Sequence, residues 1–182
     1  MRQQLEKCLA SERKNPTILD VVLYGSAART DESRDIDVIV LFKEGTLRQR
    51  LDMLAHIKSK IRHVLPDRSL DLKQVLLAEL FDPAFMARQG ILVDGYSLLH
   101  GAMFCERMGF RSYALFAYSL SGLTHAQKVR FNYILAGRGM TGMLERVKGV
   151  RLAGGAIKVP QQAANIFEGI LRRTDSKKCG RS

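Results

Sequence analysis

Two short apolar runs, Thr17 to Tyr24 (TILDVVLY) and Asp35 to Phe42 (DIDVIVLF), constrain the fold of this chain more than any other feature. Both are rich in β-branched residues and bounded by breakers: Asn15-Pro16 before the first, Gly25 after it, and Lys43-Glu44-Gly45 after the second. Runs of this kind read as strands. The second begins with acid, Asp35-Ile36-Asp37, although Asp is a poor strand former. Residues i and i+2 of a strand share a face, so the two carboxylates project side by side while Ile36 and Val38 point into a core. Like charges so placed repel, and the pair is costly unless a cation sits between them. Hard divalent ions such as Mg2+ take oxygen ligands and keep positions open for phosphate oxygens.

The rest of the chain is consistent with a sheet built around these strands. Residues 2–13 read as a helix that stops by Asn15. Leu47, Leu51, Leu54, Ile57, Ile61 and Val64 recur at helical spacing, with Thr46 as N-cap. Pro66-Asp67 makes a turn, and Ser69 to Leu77 reads as a third strand in which Asp71 repeats the acidic pattern between Leu70 and Leu72. If this strand neighbours the second, Asp35, Asp37 and Asp71 supply enough carboxylate to hold two metal ions for in-line displacement at phosphorus. A helical piece around Pro83–Gln89 leads through Gly90 into a short apolar strand, Ile91-Leu92-Val93. The order β–β–α–β–α–β implies an α+β domain over residues 1–110. Beyond it come a strand within Arg111–Leu120, a helix from Thr124 to Ala136, a hairpin over Val150–Val159 about Gly154-Gly155, and an amphipathic helix from Gln161 to Arg173. Residues 111–174 read as a small basic α/β C-terminal domain or extension, and 175–182 as a disordered tail.

Charge separates these two parts. The formal net is +11, yet residues 121–182 hold 12 Lys and Arg against three acids, whereas residues 1–120 hold 17 against 15. A surplus so placed points to a polyanion, RNA in particular, held by the C-terminal segment. On the helix carrying Lys128-Val129-Arg130-Phe131-Asn132-Tyr133, Phe131 reads as core, while Lys128, Arg130 and Arg138 are candidate phosphate contacts. The hairpin is expected to bring Arg151 and Lys158 together across its arms. Gly137-Arg138-Gly139-Met140-Thr141-Gly142 reads as a flexible connection. A polycationic substrate is disfavoured by the sign of the charge. No apolar run is long enough for a membrane helix, and the N-terminus lacks the apolar stretch of a signal peptide, so a cytoplasmic protein is expected. Cys8, Cys105 and Cys179 fit neither a disulfide framework nor a zinc site.

Gly25-Ser26 sits where the first strand ends, and free N–H groups at such a turn favour a phosphate. Leu23-Tyr24-Gly25-Ser26-Ala27-Ala28-Arg29, followed by Arg34-Asp35-Ile36-Asp37-Val38-Ile39-Val40, resembles the signature of the DNA polymerase beta-like nucleotidyltransferases, especially their minimal prokaryotic members. The resemblance covers about residues 17–95. It implies a mixed sheet flanked by helices, and Mg2+-dependent transfer of a nucleoside monophosphate from an NTP to a hydroxyl; with the three carboxylates and the basic segment, the leading expectation is AMP from ATP to a hydroxyl of RNA or protein. It also implies roles. Gly25 and Ser26 hold the triphosphate, Asp35 and Asp37 ligate both metals, and Asp71 completes one metal site and helps deprotonate the acceptor. Arg29 supports the turn or touches phosphate. Lys73, two residues beyond Asp71, shares its face within reach of a phosphate. Thr30 replaces a common Gly, Arg34 replaces a common Ser and is placed to contact phosphate or neutralise the carboxylates, and the loop between Gly25 and Asp35 is short. Two further readings remain beside the RNA-directed enzyme: an antitoxin type that adenylylates a partner toxin, and an inactive nucleic-acid-binding or regulatory relative.

Overall fold

The structure, a computed structural model, describes residues 1–30 and 32–175. The chain divides into two compact units, Met1–Phe110 and Arg111 onward. Of the tail expected to be disordered, 176–182 lie outside the described residues.

The first unit opens with helix α1 (Arg2–Leu9) and a 3-10 turn, Ala10–Lys14. Asn15 then sets the start of the sheet: its side-chain carbonyl accepts from Thr17 N at 3.0 Å and Thr17 Oγ1 at 2.8 Å. Strand β1 (Ile18–Tyr24) follows, then a second 3-10 turn, Gly25–Ala28, and β2 (Asp35–Phe42). Helix α2 (Leu47–Val64) starts at a capping box in which Thr46 and Gln49 satisfy each other's backbone N–H groups. It returns the chain to β3 (Ser69–Leu76), which runs parallel to β2. Next come α3 (Leu77–Leu80), α4 (Arg88–Asp94), the short strands β4 (Tyr96–Ser97) and β5 (Ala102–Met103), and α5 (Phe104–Arg107). The sheet order is β3-β2-β1-β4-β5, and all pairings except β2–β3 are antiparallel.

This is an α+β fold, a mixed five-stranded sheet with helices on both faces. Alternation along the strands divides the apolar side chains. Val21 and Leu23 of β1 with Val38 and Val40 of β2 join Leu5, Leu9, Ile57 and Ile61 of α1 and α2. Val22, Ile39, Leu41 and Val75 join Leu80, Ile91 and Phe104 on the other face. Central strands covered twice read as near-continuous apolar runs, which is why β1 and β2 are so plain in the sequence.

Three expectations are corrected in this unit. Ile91-Leu92-Val93 is not a strand but the end of α4, because three apolar residues fit either state and the edge of β1 is taken by Tyr96–Ser97. The third strand stops at Leu76, since Leu77 begins α3. Leu47 and Leu51, on the apolar spacing of α2, are 57% and 48% exposed.

The second unit is a three-stranded antiparallel sheet, β6 (Tyr113–Ala117), β7 (Val150–Ala153) and β8 (Ala156–Pro160), in the order β6-β8-β7. Between β6 and β7 lie α6 (His125–Ala136) and α7 (Met143–Arg146), and α8 (Ala164–Asp175) follows β8. Phe131, Leu135, Leu144, Ile157, Val159, Ala163 and Phe167 make its core. The Gly137–Gly142 segment is not the loose connection expected. A Cβ on Gly137 would sit 1.9 Å from Met140 O, and one on Gly142 would sit 2.4 Å from Leu135 O. Backbone packs on backbone there, and only glycine permits it. Among the described residues no helix is long and apolar enough to cross a membrane.

Gly95 links the two layers of the first unit. Its N–H caps α4 through Ile91 O at 3.1 Å, and a Cβ there would lie 2.1 Å from that same oxygen and 2.8 Å from Val22 Cγ1. Gly95→Ala is therefore expected to cost about 1–3 kcal/mol, as overpacking against rigid backbone does. Urea unfolding of the variant checks this, with a lowered midpoint at unchanged slope as the expected result.

Candidate active site

The acidic residues meet because of register. Asp37 pairs with Asp71 across the parallel β2–β3 ladder, and Tyr24 pairs with Asp37 from β1. Paired residues of neighbouring strands project on one face, about 5 Å apart. Tyr24, Asp37 and Asp71 therefore form a row across three strands, with Asp35 two residues before Asp37 on the same side. Ile39, Leu41 and Val75 continue this face beneath α3, α4 and α5. At the row the helical cover ends, leaving Asp35 and Asp71 exposed and Asp37 half-buried.

The Gly-Ser turn closes over Asp37. Gly25 has φ +69°, and a Cβ on it would lie 2.4 Å from Asp37 Oδ2. The turn is held from behind: Arg29 N and Thr30 N both donate to Ser26 O at 3.0 Å, and Arg2 donates to Ala28 O. Arg2 also lies over the Tyr96 ring at 5.1 Å, and Tyr96 donates its hydroxyl to Glu6 at 2.8 Å. Burial and that acceptor push the Tyr96 hydroxyl up to about 12.

Ser26 points somewhere the sequence did not announce. Its hydroxyl is 2.8 Å from Ser33 Oγ, which donates to Asp35 O at 2.8 Å. Ser33 thus ties the turn to the start of β2, while Arg68 donates to Ser33 O and Ser69 N donates to Arg34 O at 3.1 Å. Ser33, Arg68 and Arg2 carried no sequence signal, because each acts through a contact at a distance along the chain. Tyr24 lay inside the quoted motif, but its place in the row depends on strand pairing.

Lys73 follows Asp71 on the same face, and its ammonium is 2.9 Å from Asp71 Oδ2, with both side chains about half exposed. Arg34 and Arg29 are exposed beside the turn. Burial and then the Asp71 charge raise the Asp37 carboxyl above the usual carboxylate range, Lys73 pulls it down, and Asp35 adds to the rise.

The donor set suits a hard divalent cation: three carboxylates with no soft ligand, one of them held against like charge. Among the described residues no group of three His, Cys, Asp or Glu side chains is gathered closely enough to form a ready-made metal cluster. Asp71 is turned to Lys73, so Asp35 and Asp37 are the pair that stands open to a cation.

The basic residues of the second unit are not gathered in one place. Arg130 and Arg138 are exposed along α6 and the turn after it, with the Arg138 guanidinium 4.9 Å from the Tyr133 ring centre. Arg151 donates to Asn132 Oδ1 at 3.0 Å, and Asn132 donates to Lys128 O at 3.1 Å. The expectation that Arg151 and Lys158 adjoin is overturned by the hairpin register. Lys158 faces Val150 and Arg151 faces Ile157, so strand alternation sends them to opposite sides of the sheet. Lys158 instead lies 4.7 Å from the Tyr113 ring centre.

Residues 5–93 match the family described as Polymerase beta, Nucleotidyltransferase. That segment is a nucleotidyltransferase domain of the DNA polymerase beta-like superfamily. No curated protein matches the chain. Among solved structures the chain is similar to a mutant toxin-antitoxin MntA-HpeT, at 18% identity over 59% of this chain and 79% of that chain, TM-score 0.40. It is similar to a toxin-antitoxin with AMP-PNP at 20% identity over 59% and 78%, TM-score 0.39. A tri-AMPylated Shewanella oneidensis HEPN toxin in complex with MNT antitoxin gives 21% identity over 59% and 79%, TM-score 0.36.

Two outcomes follow from this geometry. A carboxyl raised on folding opposes folding once ionised, so Asp37 costs stability at neutral pH and ceases to do so as falling pH protonates it. Asp37→Asn should therefore raise the metal-free melting temperature at pH 7, and the gain should shrink as pH falls through the acidic range where Asp37 takes its proton. Thermal unfolding in chelator reads both. Gly25→Ala should lose about 1–2 kcal/mol from its left-handed backbone alone, measured by denaturant unfolding, and displace the Asp37 carboxylate as well.

Proposed function

We propose that the protein transfers AMP from ATP to a hydroxyl of RNA, in a Mg2+-dependent reaction centred on Asp35, Asp37 and Asp71. The observation that carries the reading is the row of carboxylates set by the β2–β3 register, closed by a glycine turn whose backbone lies against Asp37. Asp35 and Asp37, with Asp71 completing one site, would hold two divalent ions, which would supply charge neutralisation of the phosphates and activation of the acceptor oxygen.

The chain's own groups do the rest. Gly25 and Ser26 offer backbone N–H groups to the triphosphate, with Arg29 and Arg34 beside them to neutralise its outer oxygens. Ser33 and Arg2 keep the turn in register with β2. Lys73 moves from Asp71 to phosphate, which frees the Asp71 carboxylate to take the acceptor proton. The acceptor oxygen forms its bond to the α-phosphorus, the bond from that phosphorus to the β-phosphate bridging oxygen breaks, and pyrophosphate leaves with the electron pair. The support for RNA as acceptor is charge: the second unit's cations outnumber its acids by a wide margin.

Incubation with α-labelled ATP and Mg2+, alone and with RNA, DNA or cell extract, tests the reading. Label should appear on RNA and vanish in Asp35→Ala and Asp37→Ala. Label on a protein band moves the acceptor to a protein hydroxyl, and label that persists in both variants contradicts the assignment of the site.

A further inference from the structure

The second unit carries an exposed ridge that the reaction does not use. Along the outer side of α6, Arg130 and Tyr133 are three residues apart and so neighbours on the helix surface. Arg138, on the turn that follows, lies over the Tyr133 ring at 4.9 Å. Tyr133 is 41% exposed, with a cation on each side of it along the chain. The ridge does not depend on a loose loop. Gly137 and Gly142, at the two ends of the turn that presents Arg138, pack backbone against backbone. Neither arginine has a carboxylate partner among the described residues; the ion pair found in this unit is Arg172 with Glu168.

We infer that the ridge Arg130–Tyr133–Arg138 is a binding surface for single-stranded nucleic acid, with one base stacked on Tyr133 and phosphates on the two arginines. An aromatic face accepts any base in stacking, and guanidinium groups on either side suit the phosphates that flank it. A duplex keeps its bases stacked on each other and offers Tyr133 no free face. The five basic residues singled out in the sequence are thereby divided. Arg130 and Arg138 belong to the ridge. Arg151 is engaged by Asn132 Oδ1, and Lys128, whose backbone carbonyl accepts from Asn132, is half-buried on α6 rather than on the ridge. Lys158 lies on the other side of the sheet with Tyr113. Tyr133, which no charge count selects, becomes the residue that discriminates single strands from duplexes.

The inference rests on the proposed function only for the strand's role as acceptor. Binding is therefore measured without ATP or metal, so that failure here and failure of transfer are separate results. The probe is a fluorescent single-stranded oligouridylate, read by anisotropy with the full chain, beside the same strand annealed to oligoadenylate. The expected result is preference for the single strand, a loss of about tenfold in affinity in Tyr133→Ala, and near-normal binding in Tyr133→Phe, which keeps the ring. Arg130→Ala and Arg138→Ala should each flatten the salt dependence by about 0.7 in the log–log slope, the value for one phosphate contact on a single strand. Lys158→Ala should stay within about twofold, since a cation off the ridge makes no contact of its own. Equal affinity for the duplex, unchanged binding in Tyr133→Ala, or a Lys158→Ala loss as large as that of Arg138→Ala overturns the inference. No binding by the unaltered protein also overturns it, and directs the ridge to an acidic protein surface.

Discussion

The parallel register of β2 and β3 is the constraint on which the first unit depends. It sets Asp71 beside Asp37 and fixes like charge on a sheet face where the helical cover has ended. Nothing in packing rewards that arrangement. The apolar side chains of the same strands, Ile36 and Val38 below and Ile39 and Leu41 further along, hold β2 in place regardless of the carboxylates. Core burial is thus the source of the energy that keeps the acids together, and a cation is what the acids lack. The Gly25 turn adds a steric condition, since any side chain there would meet Asp37 Oδ2. Lys73 meets part of the electrostatic demand by sitting on Asp71.

Where a residue's neighbours along the chain decide its state, the sequence was legible. The bounds of β2, the Thr46 N-cap of α2 and the end of α6 at Ala136 all follow from local patterns. The pairing of Asp37 with Asp71 was foreseeable only on condition that the strands neighbour each other, which a right-sized crossover helix between them makes natural. Ile91–Val93 differ from the strand expected because an apolar triplet lacks a period, and the edge of β1 is occupied by Tyr96–Ser97. Leu47 and Leu51 keep the spacing of a buried stripe, yet the core contacts of α2 begin only at Met53 and Leu54. Arg151 and Lys158 were misplaced by one residue of register, which in a strand is the difference between two faces.

The supporting contacts of the site were the least legible part. Arg2 reaches Ala28, and Arg68 reaches Ser33, across separations that no periodicity records. Their chemistry is ordinary: a guanidinium satisfying a turn carbonyl that would otherwise be left without a partner. They matter because a phosphate-binding turn must be held still to act. The Gly137–Gly142 segment makes the same point in the second unit. Its glycines look like slack, and the structure uses them for close backbone contact at both ends of the turn that carries Arg138.

The chain thus separates two tasks that the motif alone merges. Chemistry belongs to a carboxylate row in the first unit, and the surplus positive charge belongs to the second. The claim at the centre is that Asp35 and Asp37 form a divalent-cation site completed by nucleotide. Titration with Mn2+, followed by the loss of its free-ion paramagnetic resonance signal, tests this directly with and without a non-hydrolysable ATP analogue. Weak binding by the protein alone, strengthened by the analogue and lost in Asp35→Asn/Asp37→Asn, is the predicted result. Mn2+ binding that ignores the analogue, or that survives the double substitution, would contradict the account.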